Sequence, residues 1–327
     1  MNQPLRPMNL GEILDRTFQI YRSRCLVFVG IAALPALVMM GLHLTDFGWL
    51  HLYRLNPAVS RTGTAVWNFA LSLGYYHISS IIGYSIYPAA VRQCSDAVMN
   101  MRTSYVSSLR FVAARWWSYL WVAILKLVAI LLAPEALVAG IVFAFGTIAD
   151  KTNAPIDFPV IFLVIILPVL GGIVCFLWLG ASFSLAVPAA ALEQLKGVRA
   201  MRRSWSLSRE SRMRIAIAWV LIFTVALTLG SGFQLLVRAV LFPLYTKMHD
   251  FSWRAAYAGS MYGVNAVLSA LIGPIYPIAI TLFYYDQRIR KEGFDIEHRM
   301  QAAGWTSEAA QISRPQPEEE ILPEAQA

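Results

Sequence analysis

Six long stretches of apolar residues dominate this sequence and leave few ways for it to fold. They cover residues 26–44, 66–91, 118–148, 159–191, 215–242 and 260–285. About 20 consecutive apolar residues cross the hydrocarbon core of a bilayer as a helix, because a helix satisfies its own backbone hydrogen bonds there. The sequence therefore predicts an all-α, polytopic transmembrane bundle of about six spans. Stretches 118–148 and 159–191 exceed one crossing, and each could instead be a span joined to an interfacial helix.

The composition favours the same class of protein. Hydrophobic residues make up 57% of the chain and charged residues only 14%, whereas a soluble chain carries roughly a quarter. A net charge of +8 would suggest a nucleic-acid partner in a soluble protein. In a membrane protein the rules of insertion already collect basic residues on the cytoplasmic side. We therefore expect membrane lipids as partners, and no nucleic acid.

The positions of the Lys and Arg residues predict the orientation. Twenty of the 27 lie in the chain ends and connections on one side, five lie on the other side, and the remaining two fall within the apolar stretches. Because basic connections stay in the cytoplasm, this bias places both termini there and requires an even number of spans. The expected location is the plasma membrane.

The composition changes near residue 299, which divides the chain into a membrane domain (1–298) and a tail (299–327). The tail is rich in Pro, Glu, Gln and Ala. Such a segment cannot bury enough apolar surface to fold, so we expect a disordered acidic cytoplasmic tail.

The segments before the spans indicate an internal repeat. GEILDRTFQIYRSR near the start aligns without gaps with VRAMRRSWSLSRES, and YVSSLRFVAARW between them fits more weakly. Each copy precedes two apolar stretches, and the second of each pair contains a proline followed by small or apolar residues, at 88–90, 188–190 and 277–279. This periodicity predicts three repeats of an amphipathic cytoplasmic helix plus a transmembrane hairpin.

The first amphipathic helix is expected at residues 9–24, with Asn9 as its N-cap and Glu12 completing a capping box. In the third copy, the expected apolar stripe consists of Leu195, Val198, Met201 and Trp205. Such helices either bind anionic headgroups at the membrane interface or close the base of the bundle. The candidate face for headgroups or a partner consists of Arg16, Arg22, Arg199, Arg202, Arg203, Trp205 and Arg209.

Residues that could carry chemistry are sparse. The sequence has no HExxH motif, no GxSxG motif and no glycine-rich phosphate loop, so we expect no enzymatic activity, metal or cofactor. Polar residues at membrane depth are candidate sites by default, and here they are His77, Lys126, Glu135 and Arg238. One hypothesis is a Lys126–Glu135 or Arg238–Glu135 pair that lines a cavity. The alternative is structural polarity, with Arg238 extending toward the interface.

Three segments together resemble the glycerophosphoryl diester phosphodiesterase membrane-domain-like proteins, a group of bacterial multi-span proteins. They are RPMNLGEILDRTFQIYRSR, VRAMRRSWSLSRE and LFYYDQRIRKEGFDIE. The resemblance implies a bacterial plasma-membrane protein. Some members carry a fused phosphodiesterase barrel, which needs roughly 250 residues, and only about 40 follow the last apolar stretch here. We therefore expect no phosphodiesterase activity.

Two functions remain open at this level. The first is a non-enzymatic accessory or scaffold protein that engages lipid headgroups, or a membrane-protein partner, through its basic amphipathic helices. The alternative is a transporter or lipid-handling protein with a polar intramembrane cavity. A deep, polar-lined cavity would favour the second function, and a solid apolar bundle the first.

The charge bias leads to a topology prediction. Reporter fusions at residues 50, 153 and 250 should score as external, and fusions at residues 105, 205 and 300 as internal, because basic connections are retained in the cytoplasm. Opposite scores for the sites at 105 and 205 would contradict the hairpin arrangement.

Overall fold

A computed structural model describes residues 6–54, 61–101, 104–152, 158–247 and 251–302. Within these ranges the chain forms α-helices and one π-helical turn, with no strand, which confirms the all-α fold class. The helices are α1 (Leu10–Ser23), α2 (Cys25–Arg54), α3 (Arg61–Val98), α4 (Tyr105–Ala113), α5 (Trp116–Leu127), the π-helical turn (Val128–Leu132), α6 (Ala133–Thr152), α7 (Phe158–Phe183), α8 (Ala186–Leu192), α9 (Val198–Ser208), α10 (Arg212–Lys247), α11 (Phe251–Ile272), α12 (Ile275–Glu292) and α13 (Phe294–Ala302).

Five helical segments of the described residues are long and apolar enough to cross a membrane. They are Cys25–Thr45, Trp116–Phe145, Ile166–Leu192, Arg212–Pro243 and Ala255–Glu292. The sixth apolar stretch of the sequence, 66–91, lies within α3, a helix of 38 residues. Polar side chains such as His77, Ser79 and Ser80 interrupt the apolar character of α3. These segments define the chain as a helical membrane protein.

The long helices pack side by side in a closed ring. Helix α2 contacts α3, α3 contacts α5, α6 contacts α7, α7 contacts α10, α10 contacts α11, and α11 returns to α2. Helices α5 and α6 are joined by the π-helical turn and form one continuous unit. In that turn the backbone N–H of Ala133 donates to the carbonyl of Val128, five residues back. Pro134 follows directly and lacks an N–H, which favours such a local widening of the helix.

The proline segments of the three proposed repeats meet at the centre of one end of this ring. Helices α3, α8 and α12 pack against one another there. The alanines after the three prolines, Ala89, Ala189 and Ala279, are fully buried. Small residues let helix backbones approach closely, which is the main source of packing between helices in a membrane.

Short amphipathic helices close this end of the ring, which we call the base. In α1 the Asn9 Oδ1 atom accepts the backbone N–H of Glu12 at 2.8 Å, and the Glu12 carboxylate accepts the backbone N–H of Asn9 at 2.8 Å. The predicted capping box is therefore confirmed. The hydrogen bond from Asn9 and that from Arg6 lower the pKa of Glu12, because both favour the carboxylate form.

Helix α9 packs by a stripe that shares only Met201 and Trp205 with the one expected. The helix begins at Val198, so Leu195 lies outside it, and the Val198 side chain is 52% exposed. Its buried residues are Ala200, Met201, Ser204, Leu207 and Ser208. The hydroxyls of Ser204 and Ser208 donate to the carbonyl of Ser182 at 2.8 and 3.0 Å. Small hydroxyl residues face the bundle because they reach the backbone at the end of α7.

Asp286 in α12 joins the base to the chain start. Its side chain is fully buried, and it accepts the backbone N–H of Met8 at 2.8 Å and the Arg290 Nε atom at 3.0 Å. Arg214 of α10 lies 3.5 Å from the same carboxylate. Arg290 and Arg214 also each donate to the Met8 carbonyl at 2.9 Å. One carboxylate and two guanidinium groups thus hold α10, α12 and the segment before α1 together.

Helical structure continues slightly past the predicted end of the membrane domain. Gly293 adopts the left-handed conformation (φ 65°) and caps α12. Helix α13 then continues to Ala302, four residues past the predicted end of the membrane domain at residue 298, with Asp295 and Glu297 in its first turn. Acidic residues in that position stabilise a helix through its dipole. The rest of the predicted tail, 303–327, lies outside the described residues.

The burial of Asp286 gives the second prediction. Asp286→Asn should lower the free energy of unfolding by about 3–5 kcal/mol, because it leaves Arg214 and Arg290 without their buried counter-charge. Thermal unfolding of the purified protein in detergent would measure this loss. The matched control is Asp295→Asn, which removes an exposed pair with Arg299 at 3.5 Å and should cost about 0.5 kcal/mol or less. Equal effects of the two changes would contradict the role of Asp286.

Candidate functional site

A large cavity lies among the long helices, between α2, α3, α10 and α11. Its volume is about 770 Å³. Tyr87 and Gly273 line its inner end, next to the buried prolines of the base. His43 lies 18 residues from the start of α2, or about 27 Å along the helix axis. The cavity therefore extends from beside the base to about the level of His43.

The polar groups that line the cavity are hydroxyls, an imidazole and an amide. No Asp, Glu, Lys or Arg of the described residues lines it. The His43 ring stacks on Tyr262 with centroids 5.1 Å apart and lies 4.9 Å from the Tyr75 ring. Asn265 accepts a hydrogen bond from Gln234 at 3.3 Å. The lining polar residues are His43, Tyr75, Tyr76, Ser79, Tyr87, Tyr262, Asn265 and Ser269.

Small residues create the room in this cavity. Ala32, Ala36, Gly230, Ala266 and Gly273 all line it. Methionine and tyrosine side chains supply the remaining apolar walls. Mostly apolar walls with a few convergent polar groups are typical of small-molecule sites. Such a lining suits an uncharged amphipathic ligand.

A buried cation lies beneath the cavity. Lys126 of α5 is 1% exposed, and its Nζ atom lies 4.0 Å from the centre of the Tyr84 ring. Tyr84 in turn contacts Tyr87, which lines the cavity, with centroids 5.7 Å apart. Beside Lys126 is a second cavity of about 10 Å³, lined also by Ser184 and Tyr276. That volume suffices for roughly one water molecule. Cation–π attraction thus compensates in part for burying this ammonium group.

The predicted Lys126–Glu135 pair is wrong. Lys126 faces Tyr84, while Glu135 lies 3.0 Å from the Nε2 atom of His77 on α3. Nine residues, including the π-helical turn, separate Lys126 from Glu135 and direct them to different neighbours. The Arg238–Glu135 pair is wrong as well, because Arg238 is exposed on α10 and pairs with no acidic side chain of the described residues. The structure therefore joins two of the four predicted intramembrane residues and separates the others.

The predicted basic face divides into two groups. Arg22, Arg199, Arg202 and Arg209 are exposed, as headgroup or partner contacts require. Arg16 is half-buried, and burial lowers the pKa of its guanidinium group.

Arg203 and Trp205 have structural partners instead. The Arg203 Nε atom donates to Glu193 at 2.9 Å, and an Arg203 Nη atom lies 2.5 Å from Glu292. Burial alone lowers the pKa of Arg203, but the hydrogen bonds to Glu292 and Glu193 outweigh it and raise the pKa. The Trp205 ring lies 4.1 Å from the Arg212 guanidinium carbon. Neither side chain is free for a headgroup.

The cavity residues are those that the sequence analysis missed. The lining residues His43, Tyr75, Tyr262 and Asn265 are not among the four residues that the sequence predicts at membrane depth. A signal was present in residues 74–87 (GYYHISSIIGYSIY), where hydroxyl and aromatic residues repeat through an apolar stretch. Such polarity at membrane depth indicates a site. Among the described residues no three His, Cys, Asp or Glu side chains are close enough to hold a metal.

The fold and this cavity define a class: polytopic α-helical membrane proteins with a closed base and a polar cavity among the spans. Residues 8–287 match the family described as a domain of unknown function, DUF7847, and the chain belongs to that family. Neither the curated proteins nor the solved structures give a match. The resemblance to the glycerophosphoryl diester phosphodiesterase membrane-domain-like proteins stays a prediction.

Proposed function

We propose that this protein is a non-enzymatic lipid-handling protein that takes an uncharged, amphipathic lipid into the cavity between α2, α3, α10 and α11. The observation that carries the proposal is the cavity itself, about 770 Å³ of space among α2, α3, α10 and α11. Ligand sites commonly enclose about 300–1,000 Å³. A lipid is the most abundant molecule that such a cavity meets in a bilayer.

The chemistry of the lining supports an uncharged ligand. A charged headgroup at membrane depth would need a counter-charge, and no acidic or basic side chain of the described residues lines the cavity. Tyrosine hydroxyls, Ser79 and Asn265 can exchange hydrogen bonds with a hydroxyl or ester group. The methionines and alanines of α2 offer apolar contact to an acyl chain.

The closed base favours binding over free passage. Asp286 with its two arginines, and Glu193 with Arg203, fill the base with ion pairs among the described residues. The Tyr284 hydroxyl also hydrogen-bonds to Glu193. Opening a path through this end would separate buried charges, which is costly. We therefore place the ligand in one half of the bilayer.

Contact of the base with anionic headgroups is a second function, and the exposed stripe of α9 favours it. Val198, Arg199, Arg202 and Arg209 lie exposed on this helix. Large apolar side chains near the base are exposed as well, among them Trp117 (76%) and Met213 (75%). Apolar residues that insert beside cations are typical of helices at a membrane interface. A membrane-protein partner is the other occupant that this stripe could accept.

We further propose six crossings, three repeats and a cytoplasmic base in a bacterial plasma membrane. The element order supports the repeat: α1, α4 and α9 are short, and each is followed by two long helical units. Helix α3 supplies the sixth crossing, since its 38 residues exceed the length of a span. The base collects the arginine-rich segments, which agrees with retention of positive charge in the cytoplasm.

Filling the cavity tests the lipid-handling proposal. At both Gly230 and Gly232 of α10 an added Cβ meets no atom within 4 Å, but only Gly230 lines the cavity. Gly230→Leu should reduce labelling by a photoactivatable diacylglycerol at least about tenfold. The added side chain occupies the cavity, and a loss of about 1.4 kcal/mol of binding free energy already lowers the affinity tenfold. Labelling of purified protein in nanodiscs, read by mass spectrometry, measures the effect.

Gly232→Leu is the matched control for this experiment. It makes the same change two residues away on the exposed side of α10 and gains the same helix propensity. It should be labelled like the wild type. Labelling that is equally strong in all three proteins, or spread over the outer surface of the helices, would refute binding in the cavity.

Neutralising the exposed arginines tests headgroup contact. The combined change Arg199→Gln, Arg202→Gln and Arg209→Gln should weaken enrichment of anionic lipid around the protein, each cation being worth about 1 kcal/mol at low salt. Native mass spectrometry from nanodiscs of mixed neutral and anionic lipid measures the enrichment. Arg299→Gln is the control, because Asp295 already pairs with that cation. Unchanged enrichment in the triple variant would contradict headgroup contact and favour a protein partner for these arginines.

A further inference from the structure

A cation without a counter-charge lies where α7, α9 and α10 meet. The guanidinium carbon of Arg212, the first residue of α10, is 4.1 Å from the centre of the Trp205 ring and 4.8 Å from the centre of the Trp178 ring. The two indole rings pack edge to face, with centroids 5.1 Å apart. Cation–π contact with two tryptophans holds this side chain in one position.

The nitrogens of Arg212 have no acceptor among the described residues. The Nε and Nη2 atoms are enclosed by the protein and make no hydrogen bond. The third nitrogen, Nη1, is not enclosed in this way and has no partner in the described part of the chain either. Arg203, Arg214 and Arg290 at the base each pair with an acidic side chain. Enclosed donors without an acceptor are rare because they are costly, which indicates a binding partner from outside the chain.

The charges around Arg212 favour an anion as that partner. Arg209 is exposed, and its positive charge acts unfavourably on Arg212. Glu210, the acidic residue between them in sequence, lies 3.4 Å from the Nζ atom of Lys291. Helix α10 begins at Arg212, so the positive end of its dipole adds to the same potential. A ligand with net negative charge is therefore favoured over a zwitterionic one.

The place of Arg212 in the fold suits the phosphate group of a lipid. Arg212 is the first residue of the membrane-crossing segment Arg212–Pro243, and Trp178 is 46% exposed near the end of α7. Val174, one turn away on the same face of α7, is 66% exposed and can contact an acyl chain. Tryptophan is typical of the depth at which headgroups meet hydrocarbon, and arginine binds phosphate through charge-assisted hydrogen bonds. A lipid satisfies both the cation and the apolar surface, whereas a soluble phosphate satisfies only the cation.

We propose that Arg212, held between Trp178 and Trp205, binds the phosphate group of one anionic phospholipid at the edge of the base. The Nη1 atom donates to a phosphate oxygen, and the negative charge compensates the whole guanidinium group, including its two enclosed nitrogens. Trp205 positions the cation, and Arg209 adds positive charge beside it. The site goes beyond the headgroup contact proposed for the exposed stripe of α9, because it holds a single lipid at a fixed position.

Removal of the cation tests this site in the full protein. Protein in nanodiscs of equal phosphatidylcholine and phosphatidylglycerol is released in native mass spectrometry, and the lipid that stays bound is identified. The wild type should retain one phosphatidylglycerol, and Arg212→Gln should lower its retention at least about tenfold, because a charge-assisted hydrogen bond is lost. Arg110→Gln is the matched control, since Arg110 is an exposed arginine of α4. Equal retention by Arg212→Gln and the wild type would overturn the proposal.

A second variant leaves Arg212 in place and decides the question even if Arg212→Gln does not fold. Arg209→Glu supplies a carboxylate beside Arg212 and should displace the retained lipid. Arg110→Glu makes the same change of charge elsewhere on the base and should not displace it. Retention of phosphatidylglycerol by both of these variants, or its loss from both, would contradict a site at Arg212.

The lipid mixture separates the possible sources of the phosphate. Preferential retention of phosphatidylglycerol supports an anionic lipid, and equal retention of phosphatidylcholine would overturn that class of ligand. Displacement by an equal concentration of inorganic phosphate would overturn a lipid in favour of the free ion. A wild type that retains no lipid would refute the site and favour an acidic side chain of a protein partner. Enrichment around the exposed arginines of α9 averages over many lipids, so its outcome is distinguishable from that of this single molecule.

Discussion

The burial of the Asp286 carboxylate is the interaction on which the rest of the structure depends. This group joins the segment before α1 to α10 and α12. Arg214 and Arg290, which pair with Asp286, also both donate hydrogen bonds to the Met8 carbonyl. A buried charge of this kind is tolerated only with its partners in place, so it selects one arrangement of the base. The three proline-alanine segments then pack closely around α12 because their side chains are small. The base is rigid for these two reasons together.

The closely packed base allows the ring beside it to remain partly hollow. Helices α2, α3, α10 and α11 are held at one end, and the small residues along their inner faces leave about 770 Å³ between them. Tyrosine, histidine and asparagine side chains bring hydrogen-bonding groups into that space without bringing net acidic or basic charge. The protein thus separates two tasks along the axis of the ring. Charged groups stabilise the base, and neutral polar groups form the candidate site.

The ionisable residues within the spans follow the same separation. Lys126 lies next to the base and is stabilised by the Tyr84 ring, not by a carboxylate of the described residues. His77 and Glu135 lie on α3 and α6, outside the lining of the large cavity, with 3.0 Å between Nε2 and Oε2. Tyr76 connects this pair to the cavity wall. Polar groups at membrane depth are expensive, and each one here has a neighbour that reduces the cost.

The sequence by itself determined the features that depend on neighbouring residues. Apolar runs predicted the all-α class, and Asn9 with Glu12 predicted the capping box of α1, because these signals act within a few residues or by composition. Only the tertiary structure decided which polar residues meet. Met8 and Asp286, which form a hydrogen bond, are 278 positions apart in the sequence. Glu135 contacts His77 and not Lys126. Arg203, a predicted headgroup contact, pairs with Glu193 and Glu292. The cavity, too, arises from four helices distant in sequence, since side-chain periodicity shows which residues share a helix face but not which helix lies opposite.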